Sequence, residues 1–292
     1  MRTTESISVV IPTYNVAAFI EPTLRSALAQ TDLPDEVVVV DDGSTDATLA
    51  IVRRIAEQSH GLVHVVERPH SGPGATRNAG IAAARGTWIA FLDGDDLWLP
   101  GKIAQIREAI AADSAATIVT HPCIEVSRPG TELEVPLPTW YAPSESLLLQ
   151  LYRGDFLWTS CVAALRRSIL DVGGFDESLW SAQDYDLWLK LARRGRLRVV
   201  PGFLAKYNVR AGSVSSNPVL RCRALVIIAH RHAPHVRRVA GPVVARRMRV
   251  RVVLLAYHFV LTHLGSTRPG PLVRLVAGIP WQLLRAMFAP IR

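Results

Sequence analysis

Past Asp186 the chain has no acidic residue. All 25 Asp and Glu stand at or before that position, while 20 of the 33 Lys and Arg stand after it. With 13 cations against 25 anions, the first 186 residues carry −12, and the last 106 carry +20. An asymmetry of this size points to an acidic partner for the C-terminal part: anionic lipid, a phosphorylated carrier or nucleic acid. Cysteine is scarce too. Cys123, Cys161 and Cys222 are odd in number and far apart. That excludes a metal-ligand spacing and a disulfide framework, and predicts a reducing, cytosolic setting. Long apolar runs are missing. No stretch of about 18 to 20 uncharged apolar residues occurs, so no membrane span is expected. Met1 to Ser6 run straight into a strand, so no signal peptide is expected. Neither an internal repeat nor a low-complexity tract is present.

What is present suffices for a large core. Apolar residues make up 49% of 292, enough for one large domain or one domain with an appendage. Short apolar runs alternate with amphipathic ones. Ile7 to Ile11, Glu36 to Val40, Leu62 to Val66 and Trp88 to Leu92 read as buried strands. Helices are expected between them. The first carries Phe19, Ile20, Leu24 and Leu28, with Asn15 as a candidate N-cap and Pro22 disturbing its start. The second carries Leu49, Ile51, Val52 and Ile55. The third runs from Ala75 to Arg85, after the glycine loop at Ser71 to Gly74 and with Gly86 as its C′ residue. This alternation predicts a parallel sheet with helical crossovers. Further on, Pro100 to Ala112 and Asp184 to Arg194 read as helices. Trp158 to Leu165, Leu197 to Val200 and Phe203 to Val209 read as strands. Residues 128–145 read as a loop or flap. The sheet-bearing part ends near residue 215, and helical segments follow.

The organising stretch is Phe91-Leu92-Asp93-Gly94-Asp95-Asp96. A strand ending in carboxylates delivers them to the carboxyl edge of the sheet, where open α/β folds bind ligands. Residues two apart in extended chain point the same way, and the intervening glycine lets the backbone turn. Asp93 and Asp95 can therefore offer two hard oxygen ligands to one Mg²⁺ or Mn²⁺, completed by substrate phosphates. Taken alone, such a stretch also suits a solvated turn.

The neighbours of that stretch decide between the two. Val9-Val10-Ile11-Pro12-Thr13-Tyr14-Asn15, Val40-Asp41-Asp42-Gly43-Ser44-Thr45-Asp46 and Ala75-Thr76-Arg77-Asn78-Ala79-Gly80 precede it. Gly173-Gly174-Phe175-Asp176 and Asp184-Tyr185-Asp186-Leu187-Trp188 follow it. In this order the six resemble a family 2 glycosyltransferase of the GT-A fold over about residues 6–215. The resemblance implies an α/β fold with a Rossmann-like, mostly parallel central sheet flanked by helices. Residues 1–215 would form the catalytic domain, and 216–292 a basic, amphipathic helical extension. It also implies a nucleotide-diphosphate sugar donor, UDP-sugars first among them, a divalent cation (Mn²⁺ or Mg²⁺), and inversion by direct displacement.

Residue by residue, the resemblance places Pro12, Thr13, Tyr14 and Asp41 at the nucleotide, where a ring can pack on a base and a carboxylate can accept a base N–H. It places Asp93 toward ribose and metal, and Asp95 toward metal and diphosphate. Asp96 is left to cap the helix near Pro100 or to orient a ligand. Arg77 pairs with the diphosphate or with a motif carboxylate. Arg210, with Gly212 and Ser213, forms a basic loop able to close over the diphosphate. The family's base is the Asp of a Glu-Asp pair opening a helix; here the pair reads Gln183-Asp184, so Asp184 inherits the role and Gln183 is a departure. Asp186 and Trp188 are expected to be structural or to line the acceptor site.

The tail mixes arginine with apolar residues, in Arg246 to Arg251 before Val252 to Leu261 and again across Leu272 to Phe288. Such a pattern suits helices in a membrane interface, or helices packed on the acidic part. The expectation is a cytoplasmic enzyme, peripheral on the inner face of the cell membrane, acting on a glycan or lipid-linked acceptor. No nucleic-acid motif occurs and the sheet-bearing part is acidic, so nucleic acid is not expected as a partner. The rival is a catalytically inactive nucleotide-sugar-binding scaffold at the membrane.

Overall fold

The structure, a computed structural model, describes residues 5–128, 130–210 and 217–264. Elements follow in the order β1 (Ile7–Thr13), α1 (Ile20–Leu28), β2 (Glu36–Asp41), α2 (Thr48–Gln58), β3 (Val63–Glu67), α3 (Pro73–Ala83) and β4 (Trp88–Phe91). Next come β5 (Leu97–Trp98), α4 (Lys102–Ala112), β6 (Ile118–Thr120), β7 (Cys123–Arg128) and β8 (Thr131–Val135). The remainder is α5 (Leu147–Arg153), β9 (Ala163–Leu165), α6 (Arg166–Asp171), α7 (Gln183–Leu191), β10 (Leu197–Val199), β11 (Ala205–Asn208) and α8 (Pro218–Leu264). Packing separates two compact units. Of the described residues, the first holds those up to Tyr141, Phe156–Ser178 and Arg194–Val209; the second holds Ala142–Asp155, Leu179–Arg193, Arg210 and 217–264. Segments 142–155 and 179–193 thus pack with the C-terminal helix.

In the first unit a seven-stranded sheet runs β10-β6-β9-β4-β1-β2-β3. Its β4-β1-β2-β3 part is parallel, as the alternation predicted, and β9 is antiparallel to both β4 and β6. Every residue of β2 is buried, because an interior parallel strand is covered on both faces. Ile7, Val9, Ile11, Val37, Val39, Ala90 and Leu92 form the core with Ile20 and Leu24 of α1 and Val52 and Ile55 of α2.

Several local expectations are corrected. Residues 128–145 are not simply a loop. β7 and β8 form an antiparallel hairpin in a second sheet, β5-β11-β7-β8. Thr131 to Glu134 are all exposed, so this edge strand has no apolar alternation to reveal it. The strand expected from Trp158 starts only at Ala163, after a 3₁₀ turn over Thr159–Cys161. There the Ser160 carbonyl accepts hydrogen bonds from Trp98 Nε1 at 2.9 Å and Lys102 Nζ at 2.7 Å, which replaces a ladder bond. Asn15 does not cap α1. The helix begins at Ile20, which leaves Pro22 harmlessly in its first turn. Nor does Gly86 cap α3, which ends at Ala83. A Cβ at Gly86 would lie 2.5 Å from Ser8 Oγ, so the position is one of close backbone approach.

The second unit is helical. Tyr152 of α5 donates to the carbonyl of Ala229 in α8 at 2.5 Å, and Tyr185 of α7 donates to that of Leu151 at 3.0 Å. α8 breaks at Gly241 (φ 80°, ψ 168°), and Pro242 restarts it, where a missing N–H costs nothing. Among the described residues no helix is long and apolar enough to cross a membrane. Gly212, Ser213 and the apolar stretch 272–288 lie outside the described residues.

Candidate active site

Three neighbouring parallel strands, β4, β1 and β2, end together and present their loops at one edge of the sheet. Thr13 and Asp41 are register partners there. Thr13 is buried and its hydroxyl donates to Asp41 Oδ1 and to the Val40 carbonyl, both at 3.2 Å. Asp41 is buried as well and holds the next turn. Its Oδ2 accepts from Ser44 N at 2.9 Å, and its Oδ1 from Ser44 Oγ at 2.6 Å. Pro12 is half-buried beside them.

Tyr14 is 42% exposed, and its ring stacks on His70 with centroids 3.9 Å apart and planes 18° from parallel. His70 in turn is held by Asp42. That buried carboxylate lies 2.8 Å from His70 Nδ1 and accepts from Ser71 N at 3.0 Å and Gly72 N at 2.9 Å. Asp42 therefore organises the loop into α3, and the Tyr14–His70 pair makes a flat aromatic platform. The resemblance gave Asp41 a place at the nucleotide and gave Asp42 no role, so the part Asp42 plays in this loop was missed in the sequence. Asn15 (φ 50°) completes this side; its Oδ1 accepts from Thr45 N at 2.8 Å.

The carboxylates after β4 divide by burial. Asp93 and Asp95 are half-exposed, whereas Asp96 is buried. Asp96 does not cap α4, whose N-cap is Gly101. It accepts from Ser160 Oγ at 2.5 Å and from Asn208 N at 2.9 Å. Burial, with the nearby charges of Asp95 and Asp93, raises its pKa well above the usual carboxylate range, and the bonds from Ser160 and Asn208 oppose this. Ser160 Oγ also accepts from Asp93 N at 3.0 Å, and the Asn208 amide donates to the Asp95 carbonyl. Two residues distant in sequence thus fasten the loop. Gly94 is required for a reason other than a turn. It is not among the glycines of positive φ, but a Cβ there would lie 2.9 Å from the Pro12 carbonyl.

Arg77, almost wholly buried on α3, forms an ion pair with Asp93 and lies 5.6 Å from the centroid of Phe175. The ion pair is the contact with a motif carboxylate that the sequence allowed. Asn78, next on α3, grips the Gly173–Asp176 segment. It donates to the Phe175 carbonyl and accepts from Phe175 N, each at 2.9 Å. Beneath the loop Lys102 is fully buried, bonded to Ser160 O and 2.6 Å from His121 Nε2. Burial pushes the Lys102 ammonium down to about 8, against the charges of Cys161 and Asp96.

These groups fit a hard divalent cation. Among the described residues no cluster of three or more His, Cys, Asp or Glu could hold a metal. Asp95 and Asp93 supply one or two carboxylates, the number with which Mg²⁺ or Mn²⁺ is bound when phosphates complete the shell. Asp96 is turned to Ser160 and Asn208, and Arg77 engages one oxygen of Asp93.

Asp184 stands in the other unit, half-buried in the first turn of α7, where its Oδ1 accepts from Tyr185 N at 2.8 Å. Gln183 before it is buried, and among the described residues its Oε1 has no hydrogen-bond partner. Asp186 is fully buried and bound to Lys190, Arg231 and His232. Trp188 is buried too. Arg210 also belongs to this unit and is half-buried, at the end of the described chain before residue 217.

With this geometry in place, comparison with known proteins is informative. The sequence model of glycosyl transferase family 2 matches residues 8–174. The succinoglycan biosynthesis protein ExoO of Rhizobium meliloti (strain 1021) is 36% identical over 219 residues, covering 72% of this chain and 62% of that protein. An uncharacterized glycosyltransferase of Haemophilus influenzae (strain ATCC 51907 / DSM 11121 / KW20 / Rd) is 31% identical over 189 residues, covering 63% of this chain and 61% of that protein. The chain thus spans about three fifths of the length of these two relatives. Among solved structures, S. aureus TarS 1-349 in complex with UDP-GlcNAc has a TM-score of 0.68 at 20% identity, over 97% of this chain and 83% of that one. The mannosyltransferase PcManGT from Pyrobaculum calidifontis, in complex with GDP-Man and Mn²⁺, has a TM-score of 0.63 at 22% identity, over 98% and 84%. At these identities the two structures share the fold.

Proposed function

The chain belongs to glycosyl transferase family 2, and we propose that it moves a sugar from a nucleoside-diphosphate donor to an acceptor hydroxyl with inversion at the anomeric carbon. The observation that carries this reading is the burial pattern after β4. Asp93 and Asp95 remain accessible at the sheet edge, while Asp96 is withdrawn into Ser160 and Asn208. The platform of Tyr14 on His70 would take the face of the nucleobase. Thr13 and Asp41 would line the base and ribose, Asp41 with whatever acceptor capacity Ser44 leaves it.

Asp95 and Asp93 would hold the divalent cation, which when bound offsets the charge gathering on the departing diphosphate. Arg77, through Asp93, keeps that carboxylate oriented. Asp184 would accept the proton of the acceptor hydroxyl as the new bond forms. Gln183 contributes no charge beside it. Arg210 is the candidate cation for closing over the diphosphate.

UDP-sugars are the first donors to try, since the TarS structure holds UDP-GlcNAc; the GDP-Man of PcManGT makes GDP-sugars the second. ExoO's name in succinoglycan biosynthesis favours a role in cell-surface glycan assembly, with a glycan or lipid-linked acceptor. The arginine-rich tail would bring the enzyme to the anionic inner face of the membrane. The experiment is donor binding and hydrolysis across UDP-, GDP- and dTDP-sugars, with Mn²⁺, Mg²⁺ or chelator, for wild type, Asp95→Asn and Asp184→Asn. One donor should bind with metal and lose binding with chelator. Asp184→Asn should keep that binding and lose turnover. Binding of no donor would refute the reading. A donor bound but never turned over would leave a scaffold. Indifference to anionic vesicles at low salt would remove the membrane role alone.

A further inference from the structure

Asp186 lies two positions after Asp184 on α7, in very different surroundings. It has no exposed surface. Lys190, one turn on, meets its Oδ2 at 2.9 Å, while Arg231 Nη1 and His232 Nε2 of α8 both meet its Oδ1 at 2.9 Å. His232 is fully buried as well, and Arg193 Nη2 lies 3.2 Å from its Nδ1. A guanidinium can only donate, so Nδ1 accepts and the ring proton sits on Nε2, directed at Asp186. One carboxylate thereby joins the first turn of α7 to α8.

The entry to α7 is tied to α5 by Tyr185, whose hydroxyl donates to the Leu151 carbonyl at 3.0 Å, and to α8 by Asp186. Its N-cap, Ala182, has φ 53°, a left-handed conformation unfavourable for a residue with a Cβ, and no side chain caps the helix. A buried ion cluster adds little to net stability compared with apolar packing of the same volume; its best-attested use is to fix one arrangement.

We propose that Asp186 is a positioning residue for sugar transfer: with Arg231 and His232 it fixes the first turn of α7, and so the carboxylate of Asp184. The inference rests on the reading of Asp184 as the base. It makes the part of α8 before Gly241 a component of the catalytic apparatus.

The test uses the full chain with Mn²⁺ and UDP-, GDP- and dTDP-sugars, following nucleoside-diphosphate release and deuterium exchange. Asp186→Asn is expected to lower kcat about tenfold or more, with the donor KM changed by less than about twofold. Amides 183–188 should exchange faster, while those of β1, β2 and β4 keep their rates. The double variant Asp186→Asn with Arg231→Gln, which removes both charges, should recover part of the lost kcat. Should Asp186→Asn fail to fold, Arg231→Lys carries the same test, because it keeps the charge and loses the guanidinium geometry. A kcat within about twofold of wild type in whichever of these folds would overturn the positioning role. So would a general rise in exchange with kcat and KM altered together. An active Asp184→Asn, or a wild type that turns over no donor, would instead overturn the base reading and the inference with it.

Discussion

Replacing Ser160 by Ala removes one hydroxyl that serves two partners. Its Oγ donates to Asp96 Oδ2 at 2.5 Å and accepts from Asp93 N at 3.0 Å. The Ser160 carbonyl, which Trp98 and Lys102 use, is retained, so the change isolates the hydroxyl. Asp96 is buried and cannot turn to water instead. Leaving such a buried group short of a hydrogen bond costs about 1–3 kcal/mol, and the half-exposed Asp93 amide adds about 0.5–1 kcal/mol. Together the loss is about 1.5–4 kcal/mol, which for a chain of this size lowers Tm by about 5–10 °C. The functional effect follows from the same bonds. Asp93 and Asp96 would lose a common anchor, and the loss of such supporting partners costs about 10- to 100-fold in metal affinity. Thermal melting gives the first quantity, and the Mn²⁺ dependence of donor hydrolysis gives the second. An unchanged Tm would refute the energetic argument. A lowered Tm with unchanged Mn²⁺ dependence would show that Ser160 holds the core and not the metal loop.

Other consequences are equally accessible. In Gly94→Ala the new Cβ would press on the Pro12 carbonyl, so a loss of about 1–3 kcal/mol in a chemical melt is expected, with weaker Mn²⁺ response. Tyr14→Ala should lower donor affinity about 5- to 10-fold by calorimetry with little change in Tm, because the ring is exposed and its stacking is worth about 1 kcal/mol. Burial, opposed by Asp186, holds His232 below its usual pKa, so the folded state favours the neutral ring. Its contribution is present above about pH 6.5 and is lost as pH falls from there through the folded value. For Asp186 burial acts upward, but bonds from His232 and Lys190 and the charges of Lys190 and Arg231 hold it well below the usual range. Its contribution is present above about pH 3.9 and is lost as pH falls further. Urea midpoints of wild type should therefore drop in two acid steps, and His232→Gln should lack the upper one.

The parallel core was legible because it is written in local runs. Glu36 to Asp41 is apolar for four consecutive positions, and only a strand covered on both faces uses such a run. The loops that shape the site are written differently. Asp42 and Asp41 are adjacent and chemically identical, yet one holds Ser44 and the other holds His70, Ser71 and Gly72. Ser160 and Asn208 fasten the Asp93–Asp96 loop from 64 and 112 positions beyond Asp96, and no periodicity marks them. Gly94 was legible as necessary but for the wrong reason. A sequence reports that a Cβ is unwelcome, not whether torsion or a neighbouring carbonyl excludes it.

The basic tail illustrates the same limit. Composition treats its arginines alike. Before Gly241, Arg231 reaches a buried carboxylate and His232 is sealed with it, while Arg238 is exposed. After Gly241, Val243, Arg246, Arg247 and Val250 are exposed at spacings of three and four, hence on one helical face, while Ala245 and Arg249 are buried. Valine beside arginine on an exposed face is the mixture that the proposed seat at an anionic membrane surface would use. Gly241 breaks the helix, and packing resumes beyond it at Ala245 and Arg249, so the tail's arginines divide by face and not by segment.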